Sequence, residues 1–250
     1  MFRKVLSLIL AMGLLLSASA LGERQVETAA GEAFYPDREN WTYRYDYEMP
    51  QLVCEEGDTA AMAVNAALQT VLDEMLYLIL PMLSRTETVT SEGRTEIVQR
   101  YRVTCNTERV FSLITFRDEK RGEETWRSVE TETFDVGGEY AGETLTLRGL
   151  VRVGDSSDQL SEALMPVLYE EFMSLQQRGI GDPDITEEDF YEICEPAIDF
   201  YADEAENAVF FFQPELMTDP MTDLQICVFT PEELAELAAA YAAYPVPDEE

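Results

Sequence analysis

WTYRYDYEMPQLVCEEGDTAAMAVNAALQTVLDEMLYLILPMLS, residues 41–84, changes its period halfway, and that change decides the fold. Trp41, Tyr43, Tyr45 and Tyr47 alternate with Thr42, Arg44, Asp46 and Glu48. A period of two with aromatic enrichment predicts a strand over 41–53 with one buried face. Such a stripe could line a sugar site, but core is its commoner use. From Asp58 onward the apolar residues step by three and four: Val64, Leu68, Val71, Leu72, Met75, Ile79 and Leu83. This predicts a long amphipathic helix over 58–84, capped by Asp58. Pro81 falls in its last turn and is expected to end or bend it. Asp73 and Glu74 within it argue against a membrane span.

The next stretch reads as a strand meander. TEIVQRYRVTC (95–105) alternates Tyr101, Val103 and Cys105 against Arg100, Arg102 and Thr104. RVFSLITF (109–116) and TWRSVETETFDV (125–136) follow, divided by a charged turn from Asp118 to Glu124. LTLRGLV (145–151) reads as a further short strand. Ser156 to Gln177 is a second amphipathic helix, and Gly179 stops it. In GDPDITEEDF (181–190), Asp182 and Asp184 invite a calcium reading. The helix-loop-helix calcium template fails there, since Glu187 stands where Gly is needed and Ile193 where Glu is needed. Thr186 with Asp189 reads better as the cap of a short helix. Strands are expected over 197–202, 208–213 and 224–230. Thr230, Pro231 and Glu233 then start a final helix.

At the N-terminus, Arg3 and Lys4 precede an apolar run from Val5 to Leu16, closed by Ser17, Ala18, Ser19 and Ala20. That order is the grammar of a secretory signal peptide over 1–20. The run is too short for a membrane-spanning helix, which needs roughly 20 residues. Residues 21–33 are polar and pattern-free and read as a flexible tether. Residues 34–244 read as one exported domain, with 34–136 and 144–244 as two possible halves.

Composition excludes much chemistry. The 250 residues contain no histidine and carry a formal charge of −33. Without histidine there is no Ser-His-Asp triad, no Cys-His pair and no His-ligated zinc. The lysines are Lys4 and Lys120, and Lys120 lies in the charged stretch DEKRGEE. Cys54, Cys105, Cys194 and Cys227 contain no C-x-x-C pair, so a metal knuckle is not expected. Export permits two disulfides in any of three pairings, or buried free thiols. So acidic a surface repels nucleic acid and either favours a cationic partner or serves solubility alone. Eight basic residues nevertheless lie between Arg94 and Arg127: Arg94, Arg100, Arg102, Arg109, Arg117, Lys120, Arg121 and Arg127. They are a candidate binding stripe, or cross-strand partners of Glu96, Glu108, Glu130 and Glu132. Paired carboxylates remain open as catalysts. Only Asp135 and Asp199 sit beside Phe in strands, and both are expected to pair with Arg at strand edges.

The order of these elements resembles a known family. YEMPQL leads into a helix containing AVNAAL, with Asn65; YRVTCN leads to VFSLITF. ETFDVGGEYAGETLTLRGLV precedes the second helix, and FYADEAENAVFFFQPELM leads to a strand and TPEEL. Over residues 38–235 the chain is similar to the exported C-terminal domain of the lysozyme-sensing anti-sigma factor RsiV, a domain that also precedes the catalytic part of the peptidoglycan deacetylase PdaC. The chain departs from the family at Gly137, Gly138 and Gly142 and from Pro214 to Pro220. The resemblance implies a binding or sensing domain without catalytic, cofactor or metal residues, acting outside the cytoplasm. It makes lysozyme or peptidoglycan the expected ligand. It also marks loops 137–143, 179–186 and 214–223 for contacts.

The expected fold is α+β: a mostly antiparallel sheet of six to eight strands packed against two main helices. The expected function is non-catalytic binding at the cell envelope, with membrane contact only through an uncleaved signal segment. An envelope enzyme with paired carboxylates and a purely structural envelope protein are the alternatives. Export predicts that N-terminal sequencing of the cell-produced protein begins at or near Leu21. A membrane-bound form that retains Met1 would contradict cleavage.

Overall fold

The computed structural model describes residues 24–86, 93–137, 140–151 and 157–242. The expected signal segment lies outside them. A five-stranded sheet runs β1 (Val26–Tyr35), β2 (Tyr43–Leu52), β3 (Thr95–Asn106), β4 (Val110–Arg121) and β5 (Glu124–Asp135), in that spatial order. Every pairing is antiparallel except β2 with β3, which run parallel over Tyr43–Tyr47 and Thr95–Gln99. A parallel neighbour needs a crossover. Here it is helix α1: α-helical over Thr59–Glu74, a π turn over Met75–Ile79, and α-helical again over Leu80–Thr86. Asp58 caps it, its carboxylate accepting the Ala61 N–H at 3.0 Å. Pro81 does not end the helix. The wider turn just before it, in which the Leu80 N–H reaches the Met75 carbonyl, lies where the proline ring would otherwise crowd a carbonyl.

Alternation along the strands sorts residues to two faces. Tyr43, Tyr45, Ile97, Phe111, Leu113 and Phe134 face α1 and close over its buried residues Ala61, Val64, Leu68, Leu72 and Leu80. Each large side chain so buried contributes about 1.5–3 kcal/mol. Although α1 is long and apolar enough to cross a membrane, in the fold it is the lid of this core. The end of this face is polar. The Tyr45 hydroxyl donates to Gln99 at 2.7 Å, and Arg117 bridges Gln99 and Glu130.

Ile114 and Val129 point to the other face, where they meet Tyr201, Val209 and Phe211. These three belong to a second, antiparallel sheet of β6 (Phe200–Ala202), β7 (Ala208–Phe211) and β8 (Ile226–Phe229). Behind it lie α2 (Leu147–Val151), α3 (Ser157–Gln177), α4 (Glu187–Ile193) and α5 (Pro231–Ala242), around a core that includes Leu164, Phe172, Phe190 and Phe210. The α+β expectation with a mostly antiparallel sheet therefore holds, but the strands divide into sheets of five and three instead of forming one sheet of six to eight.

Three local expectations are corrected. Val26–Tyr35 is a strand, where a tether was expected through residue 33. It pairs with β2 along its whole length, and only Gly31 is held to a small residue there: a Cβ on it would stand 2.4 Å from the Tyr47 hydroxyl oxygen. LTLRGLV forms helix α2, with Leu147, Leu150 and Val151 buried. Three- and four-residue steps put these on one helical face, and the Thr146 hydroxyl accepts the Gly149 N–H at 3.3 Å. The turn expected from Asp118 to Glu124 tightens to Gly122 and Glu123, with Gly122 at φ +64°, because β4 and β5 pair out to Arg121 and Glu124. A register shift between Val103 and Cys105 also moves Cys105 to the second core.

Asn65 pins the crossover. Its Oδ1 accepts the Leu52 N–H and its Nδ2 donates to the Leu52 carbonyl, both at 2.8 Å. Leu52 is 2% exposed. Asn65→Ala leaves both backbone groups without these partners. It should lower unfolding stability by about 2 kcal/mol, measured by urea denaturation. A loss below about 0.5 kcal/mol would mean that the pin is dispensable.

Candidate functional site

The alternating arginines of β3 come to lie on the face opposite α1. There residues of both sheets border a half-open cleft of about 500 Å³. This is within the range of small-ligand sites, roughly 300–1,000 Å³. The floor is Arg100 and Arg102 from β3, Phe116 and Asp118 from β4, and Arg127 from β5. Tyr201, Leu224 and Ile226 form the wall, with Asp223 at its edge.

Most charges in the cleft are already matched. Arg127 makes a two-pronged bond to Asp118, with Nε at 2.6 Å and Nη2 at 2.9 Å. The pair sits in direct register across β4 and β5, and it raises the guanidinium pKa above its ordinary value. Arg100 reaches back to β2, to Asp46 at 2.9 Å and Glu48 at 3.5 Å. Arg102 differs. Its guanidinium carbon stands 5.7 Å from the centre of the Phe116 ring, and among the described residues no carboxylate pairs with it. Arg127 approaches the same ring at 5.5 Å. Phe116 thus holds two guanidinium groups in place by cation–π attraction. Burial raises the Tyr201 phenol pKa, and the positive charge of Arg102 works against that rise.

The eight basic residues do not share one role. Arg100, Arg102 and Arg127 meet in the cleft, while Arg117 pairs with Glu130 on the α1 face. Arg109 pairs with Glu206, at 2.7 Å, rather than with Glu108. Glu96 meets Arg44 instead of one of the eight. Arg94 lies over Trp41, 4.8 Å from the ring centre. Glu132 Oε2 is buried and has no hydrogen-bond partner among the described residues.

Two of the loops marked for contacts come together. Gly181 bridges Met217, the Asp182 N–H donates to Leu216, and the Thr218 N–H donates to Ile180. The 214–223 loop ends at the cleft with Asp223. Loop 137–143, of which 138–139 lie outside the described residues, sits instead at the start of α1. There Gly142, at φ +99°, approaches Ala63. Its neighbour Asp135 accepts the Gly137 N–H at 3.0 Å and so shapes that turn.

The expected pairing of Asp199 with arginine is corrected: among the described residues no arginine reaches it. Its carboxylate accepts the Gln213 side-chain N–H at 2.7 Å and the Glu195 backbone N–H at 2.9 Å. Burial pushes its pKa up to about 6, and those two bonds oppose the rise. Neither Asp135 nor Asp199 lines the cleft. The four cysteines are free thiols, and burial raises Cys105, Cys194 and Cys227 to about 11, 12 and 11. Thiols so shifted are poor nucleophiles at neutral pH. Among the described residues no cluster of acids and cysteines is placed to hold a metal ion.

No family model matches the chain, and no curated protein matches its sequence. Solved structures do resemble it. A member of the DUF3298 family from Bacteroides fragilis aligns over 90% of this chain and 100% of its own, with a TM-score of 0.53 at 10% identity. A DUF3298 family protein from Pseudomonas aeruginosa aligns over 84% and 92%, with a TM-score of 0.47 at 9% identity. DUF3298 is the family of the RsiV- and PdaC-type domains. The Bacteroides structure therefore agrees with the sequence resemblance at the level of fold.

The Asp199 site predicts a pH dependence. A carboxyl raised in the folded state binds protons more tightly there than in the unfolded chain. Its ionisation therefore costs stability as pH rises from the ordinary 3.8 through about 6. Asp199→Asn removes that cost. Its stability relative to the native chain should climb between pH 4 and pH 7, by about 3 kcal/mol at most, in parallel thermal melts. A difference that stays flat over that range would show that Asp199 has no raised pKa.

Proposed function

We propose that this chain is an exported, non-catalytic binding or sensing module of the cell envelope, whose ligand is a peptidoglycan fragment or a basic protein such as lysozyme. The observation that carries the reading is the cleft on the face opposite α1. It is of ligand size, it is built on rigid strands, and it presents a cation without an anionic partner among the described residues. The groups around it bind rather than react, since the Asp118 carboxylate is already committed to Arg127. The two tied loops, 179–186 and 214–223, supply a second surface close by for a protein partner. The strongly acidic composition supports steering of a basic protein.

The competing reading is an enzyme with paired carboxylates. Asp199 has the raised pKa that a general acid wants. However, both its oxygens are engaged by Gln213 and Glu195, and it stands away from the cleft.

The purified mature chain should be tested for capture by solubilised peptidoglycan and by lysozyme, at low and at about 0.15 M salt, where screening acts beyond about 8 Å. Binding to one of the two should persist at the higher salt, and neither peptidoglycan nor chitooligosaccharide should be cleaved. Failure to bind either would remove the binding-module reading. Turnover that is lost in Asp199→Asn or Asp135→Asn would replace it with the enzyme.

A further inference from the structure

We infer that the cleft recognises a carboxylate, with Arg102 as its anchor and the Tyr201, Leu224 and Ile226 wall receiving the apolar part of the ligand. The inference rests on the binding-module reading and names the ligand chemistry of its site.

Charge balance argues for it first. Three guanidinium groups and two carboxylates line the cleft. Arg127 is spent on Asp118, and Arg100 on Asp46 and Glu48. Arg102 is left with the face of Phe116. Arginine offers a planar fork of donors matched to a carboxylate, and attraction to a ring leaves its N–H groups unused. The register explains the arrangement. Arg102 stands opposite Ile114 on β4, so Phe116 is its diagonal neighbour on the same face.

The remaining charges select the anion. Asp118 lies on the floor and Asp223 at the edge, and Asp223 is close enough to act on the Arg127 guanidinium. With Asp118 neutralised by Arg127, the negative charge at the edge opposes a doubly charged phosphate more than a singly charged carboxylate. The wall adds an apolar requirement. Ile226 is 47% exposed in the free protein, and its neighbour on the same face of β8, Val228, is 51% exposed. A ligand that covers Ile226 gains the burial that the fold leaves unused.

This chemistry is shared by the lactyl group of a muramic sugar and by the C-terminus of a short peptide. The test titrates the intact mature chain, by calorimetry or NMR, with four probes in two pairs. They are N-acetylmuramic acid against N-acetylglucosamine, and N-acetyl-D-alanyl-D-alanine against its C-terminal amide. Inorganic phosphate serves as a further comparison. At least one acid should bind and its uncharged counterpart should not, and the responding pair identifies the source. Arg102→Gln should weaken binding by about tenfold or more. Arg85→Gln removes the same charge from the last turn of α1 and should leave binding unchanged.

Failure of both acids to bind would overturn the inference. So would equal binding of phosphate, equal loss in both variants, or full affinity in a folded Arg102→Gln protein. Capture by whole peptidoglycan or lysozyme that ignores Arg102→Gln would leave the module reading standing and remove this one alone.

Discussion

The parallel pairing of β2 with β3 constrains everything else. Two parallel strands cannot be joined by a tight turn, so the chain between them must cross one face of the sheet, and α1 does so. Asn65 fixes the crossing helix to the end of β2 by holding both backbone groups of Leu52. Tyr43, Tyr45, Ile97 and Leu113 are then committed to the α1 side. Their alternating neighbours must find cover on the other side or face water. The second sheet covers Ile114 and Val129 but stops short of Arg100, Arg102 and Arg127. The cleft lies on the part of that face that the second sheet leaves open.

In so acidic a chain, the placement of positive charge carries more information than its amount. Arg109, Arg117, Arg100 and Arg127 each tie one element to another through a carboxylate. Exposed pairs of this sort contribute little to stability, typically 0–1 kcal/mol, but they set register and remove charge from competition. Arg102 is set against the ring of Phe116 instead. An arginine kept on a rigid strand beside apolar surface is prepared for an anion from outside, and its preorganisation lowers the cost of ordering on binding.

The sequence was legible wherever local physics decided the outcome. Asp58, Thr186 and Thr230 each cap the helix that their spacing announced, Thr186 and Thr230 with an acid three residues on that returns the bond. Gly179, at φ +73°, stops α3 as expected. Tertiary context decided the failures. Ala29, Ala30 and Gly31 look like linker because their pairing partners, Met49, Glu48 and Tyr47, lie on another strand. LTLRGLV has strand composition, but burial of Leu147, Leu150 and Val151 selects a helix. The arginine stripe was visible, whereas its division into paired and unpaired members was not. Asp118, expected in a turn, became the partner of Arg127 only because β4 and β5 extend further than their apolar residues do. Asp199 was legible as unusual, yet its partner Gln213 stands 14 residues away.

The central claim is that ligand enters on the sheet face opposite α1. Amide and arginine Nε–Hε shift mapping by NMR, during titration of the mature chain with soluble muropeptides from digested peptidoglycan, tests it most directly. The account predicts changes concentrated at Arg102, Phe116, Tyr201 and Ile226, with Arg102 Nε–Hε moving most. Changes centred on loop 137–143, or on the exposed α1 residues Tyr77, Leu78 and Met82, would contradict it.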